Sequence, residues 1–170
     1  QLDLMSLQGA TIGSFGMELG FMCNGANFCY TKTLFEELHG FKGNNKMASG
    51  DDVFLLQKAM QHQAEKVHFL KSKDTIVHTK PTNSWAELFS QRVRWASKAV
   101  AYKSVFGKDL AVIVFASNLT IVLASCFLPL GLVSWVILAI LFTLKFITDF
   151  ILLYKTNRFL RKKRMGYLLL

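Results

Sequence analysis

Residues 110–144 read LAVIVFASNLTIVLASCFLPLGLVSWVILAILFTL, 35 consecutive positions without a charged side chain. An apolar stretch of about 18 residues or more is long enough to cross a bilayer as a helix. Pro129 and Gly131 interrupt the run near its middle, so two spans joined by a tight turn fit better than one straight helix. The first span covers Leu110–Leu128, and the second runs from about Leu132 to Tyr154. Lys145 and Asp149 fall inside the second. Four residues apart on a helix, they share a face and can pair. Two placements stand: either the pair lies within the bilayer, facing protein or water, or the span ends near Lys145. In the second case the chain continues as an amphipathic interfacial helix with Phe146, Ile147, Phe150, Ile151 and Tyr154 inward.

Working outward, the 170 residues suit one domain or part of a larger protein, and 52% apolar against 18% charged side chains excludes disorder for most of the chain. The net charge of +9 is unevenly spread. Residues 1–109 hold 13 basic and 10 acidic side chains, whereas residues 110–170 hold 7 and 1, so the excess belongs to the apolar part and needs no nucleic-acid partner. Arg92, Arg94, Lys98, Lys103 and Lys108 precede the first span, and Lys155, Arg158, Arg161, Lys162, Lys163 and Arg164 follow the second. The Pro129–Gly131 turn carries no charge. By the positive-inside rule both flanks are cytoplasmic, in an integral membrane protein. Three cysteines without a Cys-x-x-Cys pair point away from a disulfide scaffold or zinc module, and the four histidines lack ligand spacing. A first residue other than Met, and the apolar Tyr167–Leu170 where a further span could begin, lead to the expectation of an internal or C-terminal fragment of a larger enzyme.

Three places in residues 1–109 carry chemistry. Phe21–Tyr30 is a strand-like apolar stretch interrupted by Asn24-Gly25-Ala26-Asn27, where small residues let a ligand approach the backbone and the Asn amides donate and accept hydrogen bonds. After it, Thr33 is placed to cap a short helix over Leu34–His39 that Gly40 closes. Ser49-Gly50-Asp51-Asp52 opens an apolar-periodic helix. There Asp51 and Asp52 either cap the helix and sit in its first turn, or divide into one cap and one general base projecting into a cleft. Gln91-Arg92-Val93-Arg94-Trp95 lies on a helix whose start is marked by the capping-box pair Ser84 and Glu87. Gln91, Arg94 and Trp95 share one face of it: a hydrogen-bonding amide, a planar fork for phosphate oxygens and a flat ring on which a sugar can stack. The bland alternative is an interfacial helix whose arginines meet lipid headgroups.

Asn-Gly-Ala-Asn, then Gly-Asp-Asp, then Gln-x-x-Arg-Trp ahead of a membrane hairpin resembles the C-terminal half of processive-type family 2 glycosyltransferases, the group of cellulose, chitin and hyaluronan synthases. The resemblance covers about residues 9–155, and Gln-x-x-Arg-Trp just before a span is its most specific part. It implies an α/β fold: residues 1–83 as the C-terminal portion of a GT-A nucleotide-sugar domain, with strands such as Lys66–Leu70 and Thr75–His78. Residues 84–108 would be an amphipathic interfacial helix, 109–154 two transmembrane helices, and 155–170 a basic cytoplasmic segment. It implies an inverting enzyme that moves a sugar from a nucleotide-diphosphate sugar to a glycan or lipid-linked acceptor at the cytoplasmic membrane face, with the bacterial inner membrane as the expected site. Asp52 would be the catalytic base. Asp51, Asn24, Gly25, Ala26 and Asn27 would border the substrates, Arg94 would meet the donor diphosphate, and Gln91 and Trp95 would line the acceptor end. A divalent metal, Mg or Mn, is expected in the full-length enzyme on an Asp-x-Asp motif that these residues lack, so the 170 residues alone are expected neither to bind donor tightly nor to turn over. The alternatives are a polyprenyl-phosphate glycosyltransferase and a non-catalytic membrane-anchoring module.

Overall fold

The computed structural model describes residues 2–43, 50–80, 82, 84–99 and 103–160. Among the described residues six α-helices follow in order: α1 (Leu2–Gly16), α2 (Lys32–Glu37), α3 (Asp51–His62), α4 (Trp85–Ala99), α5 (Val105–Phe127) and α6 (Trp135–Phe159). They group into two compact units, residues 11–107 and residues 1–10 with 108–170.

In the second of these units, α5 and α6 are long and apolar enough to cross a membrane, the candidate spans being Val105–Leu130 and Trp135–Phe159. The connection is built by the residues that interrupt the apolar run. Pro129 sits in the short 3-10 turn Leu128–Leu130, Gly131 takes the left-handed conformation at φ 70°, and the Ser134 hydroxyl accepts the Ile137 N–H to start α6. Hydroxyls inside the helices donate to backbone carbonyls of the preceding turn: Ser117 to Val114, Thr120 to Ala116, Ser125 to Ile121 and Thr148 to Leu144. A polar side chain satisfied within its own helix is what a hydrocarbon environment demands. Large apolar groups face outward along both helices, Phe115 at 68% and Trp135 at 74% exposure, and a bilayer supplies the cover that water does not.

Helix α6 runs without a break through Lys145 and Asp149, whose side chains form an ion pair. Phe146, Phe150 and Tyr154 stack along α6 and are exposed rather than inward. Leu138, Leu141, Lys145, Leu152 and Thr156 form a less exposed stripe at helical spacing that includes the lysine, and Leu153, Asn157 and Phe159 near the end of the helix are covered as well. At its far end α1 crosses closely: a Cβ on Gly9 would overlap the Thr156 hydroxyl and approach Leu152 to within 2.9 Å.

The other unit overturns the α/β expectation. Among the described residues there is no strand, and the 1–83 region is helices joined by irregular chain. Asn24, Phe28 and Val67 do take extended backbone angles. An extended segment becomes a strand only when a neighbour pairs with its N–H and C=O groups. Neither Lys66–Leu70 nor Thr75–His78 acquires such a ladder. Lys66 instead ends the 3-10 turn Ala64–Lys66. The helices need no such partner.

The core here forms around α3, where Leu38, Leu55 and Ala59 are buried and Phe28, Leu34, Phe35 and Val67 pack on them. Helix α2 starts two residues earlier than the sequence suggested: the Thr31 hydroxyl, not that of Thr33, accepts the Leu34 N–H at 3.2 Å. Gly40 closes the turn after it at φ 51°, its N–H donating to the Phe35 carbonyl at 2.7 Å.

Candidate functional site

Helix α3 carries the acidic pair. Its N-cap is Gly50, at φ 100°, and Asp51 and Asp52 occupy the first turn, where carboxylates favour the helix dipole. Neither therefore serves as the cap that both sequence alternatives gave to one of them. Asp51 is exposed and Asp52 half-buried, so the two carboxylates differ in setting although adjacent in sequence.

Asp52 is turned toward the Asn24–Asn27 segment. Its Oδ2 lies 3.0 Å from the point where a Cβ on Gly25 would stand, and its Cγ lies 3.5 Å away. Gly25 opens a 3-10 turn, Gly25–Asn27, that Asn24 caps by accepting the Ala26 N–H at 3.1 Å. The Asn27 amide reaches across to donate to the Thr75 carbonyl at 2.8 Å. Small size at position 25 thus lets a carboxylate approach the backbone, and the two Asn side chains hold the turn that presents it. Cys23 is held up well above the ordinary thiol range, first by burial and then by the charge of Asp52. A thiol so held stays protonated and packs rather than reacts.

Two polar residues of α3 that sequence reasoning passed over fix this arrangement. Gln57 is buried at 4% exposure. Its amide donates to the Phe21 carbonyl at 3.3 Å and accepts the Lys103 N–H at 2.7 Å. Lys58 donates to the carbonyls of Gly40 at 2.6 Å, Lys42 at 2.8 Å and Leu38 at 3.4 Å, satisfying the backbone beyond α2. The signal available in the sequence was Gln57 itself, a polar side chain directly after the apolar run Val53–Leu56.

Helix α4 starts as its sequence indicates, the Ser84 hydroxyl accepting the Glu87 N–H at 3.2 Å. Gln91 and Trp95 are half-buried and Arg94 is exposed. The cation on the Trp95 ring is Arg92, with Cζ 4.4 Å from the centroid. Trp85, Phe89 and Val93 form an exposed apolar stripe four residues apart. Among the described residues no hydrogen bond, ion pair or ring contact joins Gln91, Arg94 or Trp95 to Asp51, Asp52 or Asn24–Asn27. The structure therefore unites two of the three sequence elements, and leaves the third on its own helix.

Among the described residues no group of three His, Cys, Asp or Glu side chains could hold a metal ion. Asp51 and Asp52 do not fit a divalent cation by themselves. No family model, curated protein or solved structure matches this chain.

Proposed function

We propose that the chain belongs to a membrane-bound inverting glycosyltransferase, acting on a nucleotide-diphosphate sugar and a glycan or lipid-linked acceptor at the cytoplasmic membrane face. The observation that carries this proposal is the approach of Asp52 to Gly25, two residues far apart in sequence that the resemblance assigns to one pocket. In the proposed reaction Asp52 takes the proton from the acceptor hydroxyl as that oxygen attacks the anomeric carbon. The bond to the nucleoside diphosphate breaks as the new one forms, and Arg94, exposed on α4, meets the charge that develops on the leaving group. Gln91 and Trp95 line the acceptor end. The divalent ion that the resemblance implies for the full-length enzyme, held outside these 170 residues, would supply further charge neutralisation.

Membrane attachment rests on α5 and α6. The basic residues on both flanks favour a cytoplasmic site. The exposed Trp85, Phe89 and Val93 stripe suits α4 to the bilayer surface.

The test is Asp52→Asn in membranes carrying the full-length protein, assayed against a panel of sugar nucleotides. Loss of transfer with insertion and thermal stability retained is the expected result, and transfer at the wild-type rate would overturn the assignment.

A further inference from the structure

We infer that Gln57 is a positioning residue that locks the Asp52-bearing helix to the Phe21–Asn27 segment and to the start of α5. This rests on the glycosyl-transfer proposal above and deepens it, because it says what holds the base in register with the backbone it faces.

Gln57 lies on α3 five residues beyond Asp52, and both ends of its amide are in use. The Nε2 side holds the Phe21 carbonyl, four residues before Gly25, and the Oε1 side holds the Lys103 N–H, two residues before α5 begins. The Phe21 ring packs on the residues that follow Lys103. It meets Phe106 edge-on with centroids 5.6 Å apart, and a Cβ on Gly107 would fall 2.7 Å from it. One buried amide thus joins three segments remote in sequence, all within residues 11–107. A donor and an acceptor are both required at that point. The backbone of an irregular segment and that of a helix entry offer opposite groups, and a buried carbonyl or N–H left unpaired is costly. An apolar side chain of the same size would fill the space and hold neither.

The experiment uses the full-length protein in membranes and compares Gln57→Met with Gln57→Glu. Gln57→Met keeps the volume and removes both bonds. It is expected to lower kcat about tenfold or more by displacing the base, while KM for the sugar nucleotide stays within about twofold. A carboxyl buried at this position retains its proton at low pH and can then donate and accept as the amide does. Gln57→Glu is therefore expected to approach wild-type kcat at low pH and to lose it as pH rises, a falling limb that wild type lacks and that a merely space-filling residue would not create. Hydrogen exchange at the Lys103 amide gives a readout without catalysis: slow in wild type, and faster by about tenfold or more in Gln57→Met. Wild-type kcat in Gln57→Met, a Gln57→Glu profile superimposable on wild type, or unchanged exchange at Lys103 would each overturn the inference. If the wild-type protein transfers no sugar, the glycosyl-transfer proposal falls, and the exchange measurement alone then decides whether Gln57 makes the tie.

Discussion

Asp52 Oδ2 stands 3.0 Å from where a side chain on Gly25 would begin, so the carboxylate occupies space that only glycine leaves open. Gly25 does not have positive φ, hence alanine is allowed by the backbone, and the residue that must give way is Asp52. Replacing Gly25 by Ala is expected to leave stability within about 1 kcal/mol. It should lower sugar transfer on the order of tenfold or more, because a base shifted by a fraction of an ångström loses its alignment with the acceptor. Thermal unfolding and initial-rate assays on the same preparation separate the two effects; a loss of rate matched by a loss of folded protein would argue that Gly25 serves packing alone.

Lys58 supplies the second prediction. Its ammonium donates to carbonyls of Leu38, Gly40 and Lys42 and so replaces hydrogen bonds that the chain cannot make for itself beyond α2. Lys58→Met is expected to destabilise the protein by about 1–2 kcal/mol at neutral pH, read by denaturant titration. Burial and then the neighbouring Lys103 hold the Lys58 pKa below its ordinary value of 10.5. The folded state therefore binds this proton less tightly than the unfolded chain does, and stability due to Lys58 rises with pH between the lowered value and the ordinary one. The stability difference between wild type and Lys58→Met should widen over that interval, and a difference that narrows there would contradict the assignment.

What the sequence made legible is what local chemistry decides. The apolar run with Pro129, Gly131 and Ser134 specifies two helices and the turn between them, because each signal acts within a few residues. Ser84 and Glu87 mark the start of α4 for the same reason. Thr31 and Thr33 both precede Leu34, and the cap falls to Thr31 because its hydroxyl stands three residues before the N–H it accepts from. The strand assignments failed because a short apolar stretch such as Lys66–Leu70 or Thr75–His78 does not specify a neighbour to pair with, and Lys66 goes instead into a 3-10 turn. Asn24–Asn27 and Asp52 were singled out separately, and only the fold could bring them together. Gln57 and Lys103, 46 residues apart, left no trace as a pair, because a polar residue after an apolar run marks a need for a partner without saying which.

Gly9 and Thr156 meet across α1 and α6 with no room for a methyl group. Gly9→Ala would therefore overpack the contact, and a destabilisation of about 1–3 kcal/mol is expected in thermal unfolding in detergent. Thr156→Ala removes the hydroxyl that the new methyl would strike, together with its bond to the Leu152 carbonyl. The double variant should be more stable than the sum of the single effects predicts, by about 0.5 kcal/mol or more. Simple additivity would show that the two helices separate in solution and that the contact does not restrain them.

Lys145 and Asp149 give the sharpest separation between a charged pair that stabilises and one that is merely tolerated. The pair sits near the middle of α6, Lys145 at 22% and Asp149 at 52% side-chain exposure, among outward apolar groups such as Leu144, Phe146, Ile147 and Phe150. Placing one charge at the centre of a membrane helix costs about 2.5–3.5 kcal/mol on insertion scales. Two opposite charges one turn apart cancel much of that, provided both are present. Lys145→Leu alone should therefore impair insertion or folding more than the double change Lys145→Leu with Asp149→Leu, which removes both charges and leaves a continuous apolar helix. Glycosylation-mapped insertion of the hairpin reads this directly. If the single and double variants insert equally well, the carboxylate is already in contact with water, and α6 beyond Lys145 lies at the bilayer surface, not within it.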